Sequence, residues 1–192
     1  MDAKEQQKMI QELEGSDRDL GKKLGIFVSS ISILLAVFHL YVAGFGLPGI
    51  GSRTFLIIHL TLAIVLVFLI FPIKKGMSQK TIPIYDFILS AFSLGLGIYL
   101  IQRQDAPEIM SARPTDIDLI IGALFIVIVI EATRRVVGLP LVIIALIGIG
   151  YFFAGEFLPG QFYHNRGDFS RFVYEITYRS NGIFGTPIYA SA

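Results

Sequence analysis

The chain has no cysteine, which removes disulfides, thiolate nucleophiles and cysteine-ligated zinc from consideration. With nothing to oxidise, the redox compartment stays open. Charge is scarce as well: 16% of the 192 residues are Asp, Glu, Lys or Arg, and they sum to +1, too little for a field that would gather nucleic acid. No basic patch interleaved with aromatics stands in for one. Three histidines, His39, His59 and His164, are dispersed along the chain rather than clustered as metal ligands. A glycine-rich phosphate loop, a nucleophile elbow and a catalytic triad are missing too. These absences argue against an enzyme and leave no cofactor to expect on the residues present.

What remains is apolar: 54% of the residues are hydrophobic and the mean hydropathy is +0.67, outside the range of a soluble domain. The expectation is an all-α integral membrane protein of about five transmembrane helices plus an outer interfacial amphipathic helix. Its centre is residues 117–160, where two apolar runs flank Glu131-Ala-Thr-Arg134-Arg135-Val-Val-Gly138-Leu-Pro140. This reads as a membrane hairpin with charges at its bend. The first run, 119–130, holds twelve uncharged residues. At about 1.5 Å per residue it covers roughly 18 Å, short of a hydrocarbon core of roughly 30 Å. The helix therefore carries Glu131 below the lipid surface, or ends early and is buried by protein. A charge at the bilayer centre costs about 3 kcal/mol on insertion scales, and less near a helix end, so Glu131 needs a partner. Arg134 and Arg135, three and four residues on, share its face: one neutralises it while the other snorkels to the headgroups. Three readings stay open: a salt bridge that seats the helix, a contact with a partner, and a proton relay through Glu131.

The other spans are 24–45, 55–73, 82–101 and the second hairpin arm, 139–158. The first follows a mixed-charge tail and ends in Gly-Phe-Gly-Leu-Pro rather than a small-residue cleavage site, so it reads as a retained anchor. The third is entered through Pro83, which suits a first helical turn, and carries Asp86 there, favoured by the positive end of the helix dipole. A cytoplasmic N-terminus places Arg18, Lys22, Lys23, Lys74, Lys75, Lys80, Arg134 and Arg135 inside, against Arg53, Arg103, Arg113, Arg166, Arg171 and Arg179 outside. Most of the inside charges abut span ends as pairs, which sets that orientation. The division is then a cytoplasmic tail at 1–23, with a short surface helix around Met9, Ile10 and Leu13, a five-span scaffold at 24–160, an exterior helix and linker at 161–181, and the start of a further membrane element at 182–192.

Small residues one turn apart at Ala91-x-x-x-Gly95, Ser93-x-x-x-Gly97 and Gly150-x-x-x-Ala154 favour a packed bundle. Residues 168–180 place Phe169, Phe172, Val173 and Ile176 at helical spacing opposite Arg171, Glu175 and Arg179, which suggests a helix on the outer interface with Tyr174 and Tyr178 at headgroup level. For His39 and His59 an interhelical hydrogen bond or an interface position is expected, with a substrate or proton role as the rival. Asp105, Glu108, Asp116 and Asp118 are expected to solvate the polar loop at 102–116. The residues singled out for structural or partner contact are Glu131, Arg134, Arg135, Asp86, His59, Arg103 and Arg113.

The order of motifs resembles a known family. Arg53-Thr-Phe-Leu-Ile-Ile-His59, then Phe71-Pro72, Asp86 and Tyr99, then Glu131-Ala-Thr-Arg-Arg135-x-x-Gly138, Tyr151-x-x-x-Gly155-x-x-Leu158-Pro159-Gly160 and Gly182-Ile-Phe-Gly-x-Pro187 look like the N-terminal part of fused TRAP permeases, the tripartite ATP-independent periplasmic transporters, and most like their TAXI-type branch. The resemblance implies a scaffold that holds a larger sodium-driven elevator domain in a bacterial or archaeal inner membrane, fed by a periplasmic substrate-binding protein and taking up organic anions such as dicarboxylates. It places the sodium and substrate sites in the large domain that would follow residue 192, so none is carried onto this sequence. Two rivals remain: a membrane-bound enzyme or enzyme anchor, and the small subunit of a different tripartite carboxylate system. The outer loops 102–116 and 159–167 are the expected seat of the binding protein.

Overall fold

A computed structural model of the chain describes residues 18, 20–46, 49, 51–73, 81–179 and 182–185. Among these it contains helices and turns and no strand. Five long helices follow one another: α1 (Lys22–Phe45), α2 (Ser52–Ile70), α3 (Ile84–Arg103), then, after the short α4 (Pro107–Met110), α5 (Asp116–Val136) and α6 (Leu139–Ala154). Two 3-10 turns, Gly155–Phe157 and Gly160–Phe162, lead to α7 (Phe169–Val173), which runs on into a π-helical turn, Tyr174–Tyr178.

The helix boundaries follow from the sequence. α2 stops at Phe71 because Pro72 disfavours helical backbone in the residue before it. Pro83 stands one residue ahead of α3, as its N-cap. α5 opens on a capping box in which the Thr115 side chain accepts from the Asp118 backbone N–H while the Asp118 carboxylate accepts from the Thr115 N–H. The bend before α6 turns on Gly138 at φ 103°, a left-handed conformation open to glycine, with Pro140 in the first turn that follows.

Among the described residues four helices are long and apolar enough to cross a membrane: Lys22–Phe45, Ser52–Ile70, Ile84–Arg103 and Leu139–Phe157. The 21 residues of α5 reach about 31 Å, which also suffices, yet every 18-residue stretch of it holds three or more of Asp116, Asp118, Glu131, Arg134 and Arg135. The expected fifth span therefore exists as a continuous helix but fails on charge. It runs past Glu131 to Val136 instead of ending early.

α2, α3 and α5 form the core, around Phe68, Leu100 and Phe125, each all but inaccessible. α2 and α3 approach closely at Gly97, where an added Cβ would overlap the Thr61 side chain. Of the small-residue pairs, Ser93 and Gly97 are buried in this contact, whereas Gly95 and Gly150 face open space. α1 and α6 are peripheral. Residues 143–148 of α6 are exposed over more than a full turn, and the helix rejoins the bundle through Phe152 and Phe153 against Phe172.

The apolar side of α7 and its π turn packs on α5. Val173, Thr177 and Tyr178 are buried against α5, where Gly122 leaves them room. Tyr178 donates to the Asp118 carbonyl at 2.8 Å and Tyr174 to the Ile109 carbonyl at 2.9 Å, so both hydroxyls serve protein carbonyls rather than headgroups. Burial, then the charge of Asp118, hold the Tyr178 phenol above its ordinary pKa, so it stays a donor. Beyond it Phe184 packs on Phe125 with ring centroids 5.5 Å apart, closing 182–185 onto the core. The surface helix expected around Met9, the Lys74, Lys75 and Lys80 positions, and residues 186–192 lie outside the described residues.

Candidate functional site: two charged clasps at opposite ends of the bundle

Asp86 in the first turn of α3 has a wholly buried side chain, and two guanidinium groups close on it. Arg135, from the last turn of α5, donates to Oδ1 at 2.7 Å, and Arg18, from the segment ahead of α1, engages Oδ2. The arginines also serve the end of α2, whose last carbonyls have no partner within the helix. Arg18 donates to the Phe68 and Leu69 carbonyls at 3.2 Å and its backbone N–H to Ile70, Arg135 reaches the Phe71 carbonyl at 3.2 Å, and Arg134 reaches that of Ile73 at 3.2 Å. Arg135 lies over the Phe68 ring, 4.7 Å from its centroid, a cation–π contact.

Glu131 takes both of its neighbouring arginines. Arg134 binds it with two nitrogens at 2.7 and 2.8 Å, and Arg135 Nε reaches it at 2.8 Å. The expected division, one arginine neutralising and one snorkelling, is not what forms: Arg135 is fully buried, while Arg134 stays 30% exposed and still holds Glu131.

At the other end of α3 and α5 the polarity reverses. Arg103, in the last turn of α3, grips Asp118 in the first turn of α5 through Nε to Oδ1 at 2.9 Å and Nη2 to Oδ2 at 2.8 Å. Tyr99 donates to Oδ1 at 2.8 Å and the Thr115 hydroxyl to Oδ2 at 2.7 Å, so the carboxylate is saturated. Asp118 is thus fully buried and does not solvate the loop, contrary to expectation, because Arg103 and the capping box give it better partners than water. Asp86 and Arg103 stand seventeen residues apart on α3, and Asp118 and Arg135 seventeen apart on α5, so the two antiparallel helices are pinned by reciprocal ion pairs about 25 Å apart. In both helices the carboxylate sits at the positive end of the dipole and the arginine at the negative end.

The remaining residues fall apart from these clasps. His59 meets His39 across α1 and α2, with Nδ1 2.6 Å from Nε2, the interhelical bond expected of the pair. Arg113 is exposed, and among the described residues it makes no ion pair, whereas Arg103, grouped with it in the sequence, is committed to Asp118. Sequence reasoning missed Thr115 and the roles of Arg18, Tyr99 and Arg53, the last of which donates to the Thr177 carbonyl at 3.4 Å and to that of Tyr178, capping the π turn. The equal seventeen-residue spacing was the signal that could have found the second clasp. Among the described residues no cluster of three or more His, Asp or Glu forms that could hold a metal ion. No family model, curated protein or solved structure matches the chain.

Proposed function

We propose that this chain is the membrane scaffold of a tripartite ATP-independent transporter of the TAXI type, anchoring a sodium-coupled elevator domain for uptake of organic anions such as dicarboxylates. In this reading it spans a bacterial or archaeal inner membrane five times with its N-terminus in the cytoplasm, and a periplasmic binding protein delivers the substrate. The observation that carries the scaffold reading is the double clasp. An elevator needs a frame that does not move with it, and two reciprocal ion pairs fix α3 against α5 at both ends. Both buried carboxylates are engaged by guanidinium groups, which suits fasteners better than the exchangeable sites of a carrier or enzyme. The exposed apolar sides of α1 and α6 supply area for lipid and for the transport domain.

The test is purification from native membranes through an antibody to residues 1–17. The expected product is a large multi-pass permease segment, covalently continuous or as a subunit, whose sodium-dependent dicarboxylate uptake requires the scaffold. Recovery of the chain alone, or with a soluble enzyme, contradicts the reading. Within such a complex Glu131→Gln is expected to lower assembly without uncoupling sodium; a fully assembled but uncoupled variant would show that Glu131 belongs to the ion path. Arg113→Glu, at an exposed outer position, is expected to weaken docking of the binding protein, and unchanged docking removes the loop at 102–116 from that interface.

A further inference from the structure

We propose that the His39–His59 pair is a proton-released latch holding α1 against α2. The latch does not depend on what the chain anchors. α1 is thinly attached, with Val28 its one buried residue. In lipid, apolar burial gives helices no incentive to associate, so packing and interhelical hydrogen bonds hold them together. One such bond therefore weighs heavily on this contact.

The protons can be placed from the geometry. His39 Nδ1 lies 2.7 Å from the Leu35 carbonyl, which can only accept, so this nitrogen carries a proton. The neutral ring then offers Nε2 as an acceptor, and His59 Nδ1–H donates to it across 2.6 Å. A first added proton goes to His59 Nε2 and leaves the bond intact with an imidazolium donor. A second must sit on His39 Nε2, where it faces the His59 N–H and a like charge, and the rings must part. The neutral and singly charged pairs hold; the doubly charged pair releases. Release therefore comes as pH falls.

No other charge near the pair is free to take over. Phe38 and Phe55 pack on the His39 ring, with centroids 5.8 and 5.3 Å away. Arg53 of α2 is turned to the carbonyls of the π turn, and Tyr99 and Arg103 of α3 are bound to Asp118. His59 Nδ1 is bonded to His39 Nε2. Both rings are part-buried and lie about 10 Å along their helices from the turn that joins α1 to α2.

The full chain in lipid nanodiscs, spin-labelled at Leu40→Cys on α1 and Ile98→Cys on α3, tests this by pulsed dipolar distance measurement. Both positions are exposed and the chain has no other cysteine. Distances are compared at about pH 8 and about pH 4.5, either side of the ordinary histidine value of about 6.5. The expected distribution is narrow at the higher pH and longer and broader at the lower. His59→Phe, which keeps a ring but no donor, is expected to give the broad distribution at both. His59→Asn, whose amide nitrogen stands near the Nδ1 position and does not titrate, is expected to stay narrow at both. An unchanged wild-type distribution, a narrow His59→Phe at both values, or a His59→Asn that lengthens like the wild type would each overturn the latch.

Discussion

Asp86 shows why a carboxylate in this chain is safe to bury. Its two oxygens are divided between Arg18 and Arg135, and all three side chains are out of solvent. Removing the negative charge leaves two buried guanidinium groups facing a neutral amide. Asp86→Asn is therefore expected to cost about 3–5 kcal/mol, the range for breaking a buried pair by removing one partner. Glu131→Gln is expected to cost clearly less, because Arg135 keeps Asp86 and Arg134 is already partly in solvent. Unfolding of the two variants in the same detergent, compared with wild type, gives both values. Equal losses would mean that Glu131, not Asp86, is the centre of the cluster. Arg18 was read with the tail because nothing in its immediate sequence marks it. Its partners lie 50 or more residues away, at the end of α2 and the start of α3.

At the scale of helices, close approach is confined to a few positions. Gly97 admits the Thr61 side chain, whereas Gly95, two residues earlier, faces open space. Gly97→Leu is expected to destabilise the bundle by about 1–3 kcal/mol, as overpacking does, while Gly95→Leu leaves its unfolding unchanged. If the Gly95 variant proves the more damaging, α3 packs through the opposite face. The apolar runs made the long helices legible, since each was long enough to read without its neighbours. The α3–α5 register was not legible. Local spacing pairs Arg135 with Glu131, which is correct, and says nothing of Asp86 across the bundle. The amphipathic period of residues 168–180 was visible too, but not what covers its apolar side. Tyr174 and Tyr178 read as interface residues until the Ile109 and Asp118 carbonyls are seen to accept from their hydroxyls.

For the whole molecule, the two clasps divide the chain into ends: the α1 start, α2 end, α3 start and α5–α6 bend at one, and the α4 turn, α5 start and α7 at the other. Exposed apolar residues cover α1 and α6 between those ends, a surface compatible with contact to lipid. In the proposed scaffold these ends face opposite sides of a membrane, with α5 crossing despite its charges because Asp118 and Glu131 are neutralised within the chain. Single cysteines at Lys22, Arg113, Val137 and Phe157, all exposed, test it by labelling with a membrane-impermeant maleimide in sealed, right-side-out vesicles. Arg113→Cys and Phe157→Cys are expected to react from outside, while Lys22→Cys and Val137→Cys react only after the vesicles are opened. Labelling of Arg113→Cys and Val137→Cys from the same side would mean that α5 does not cross, and would contradict the five-span scaffold.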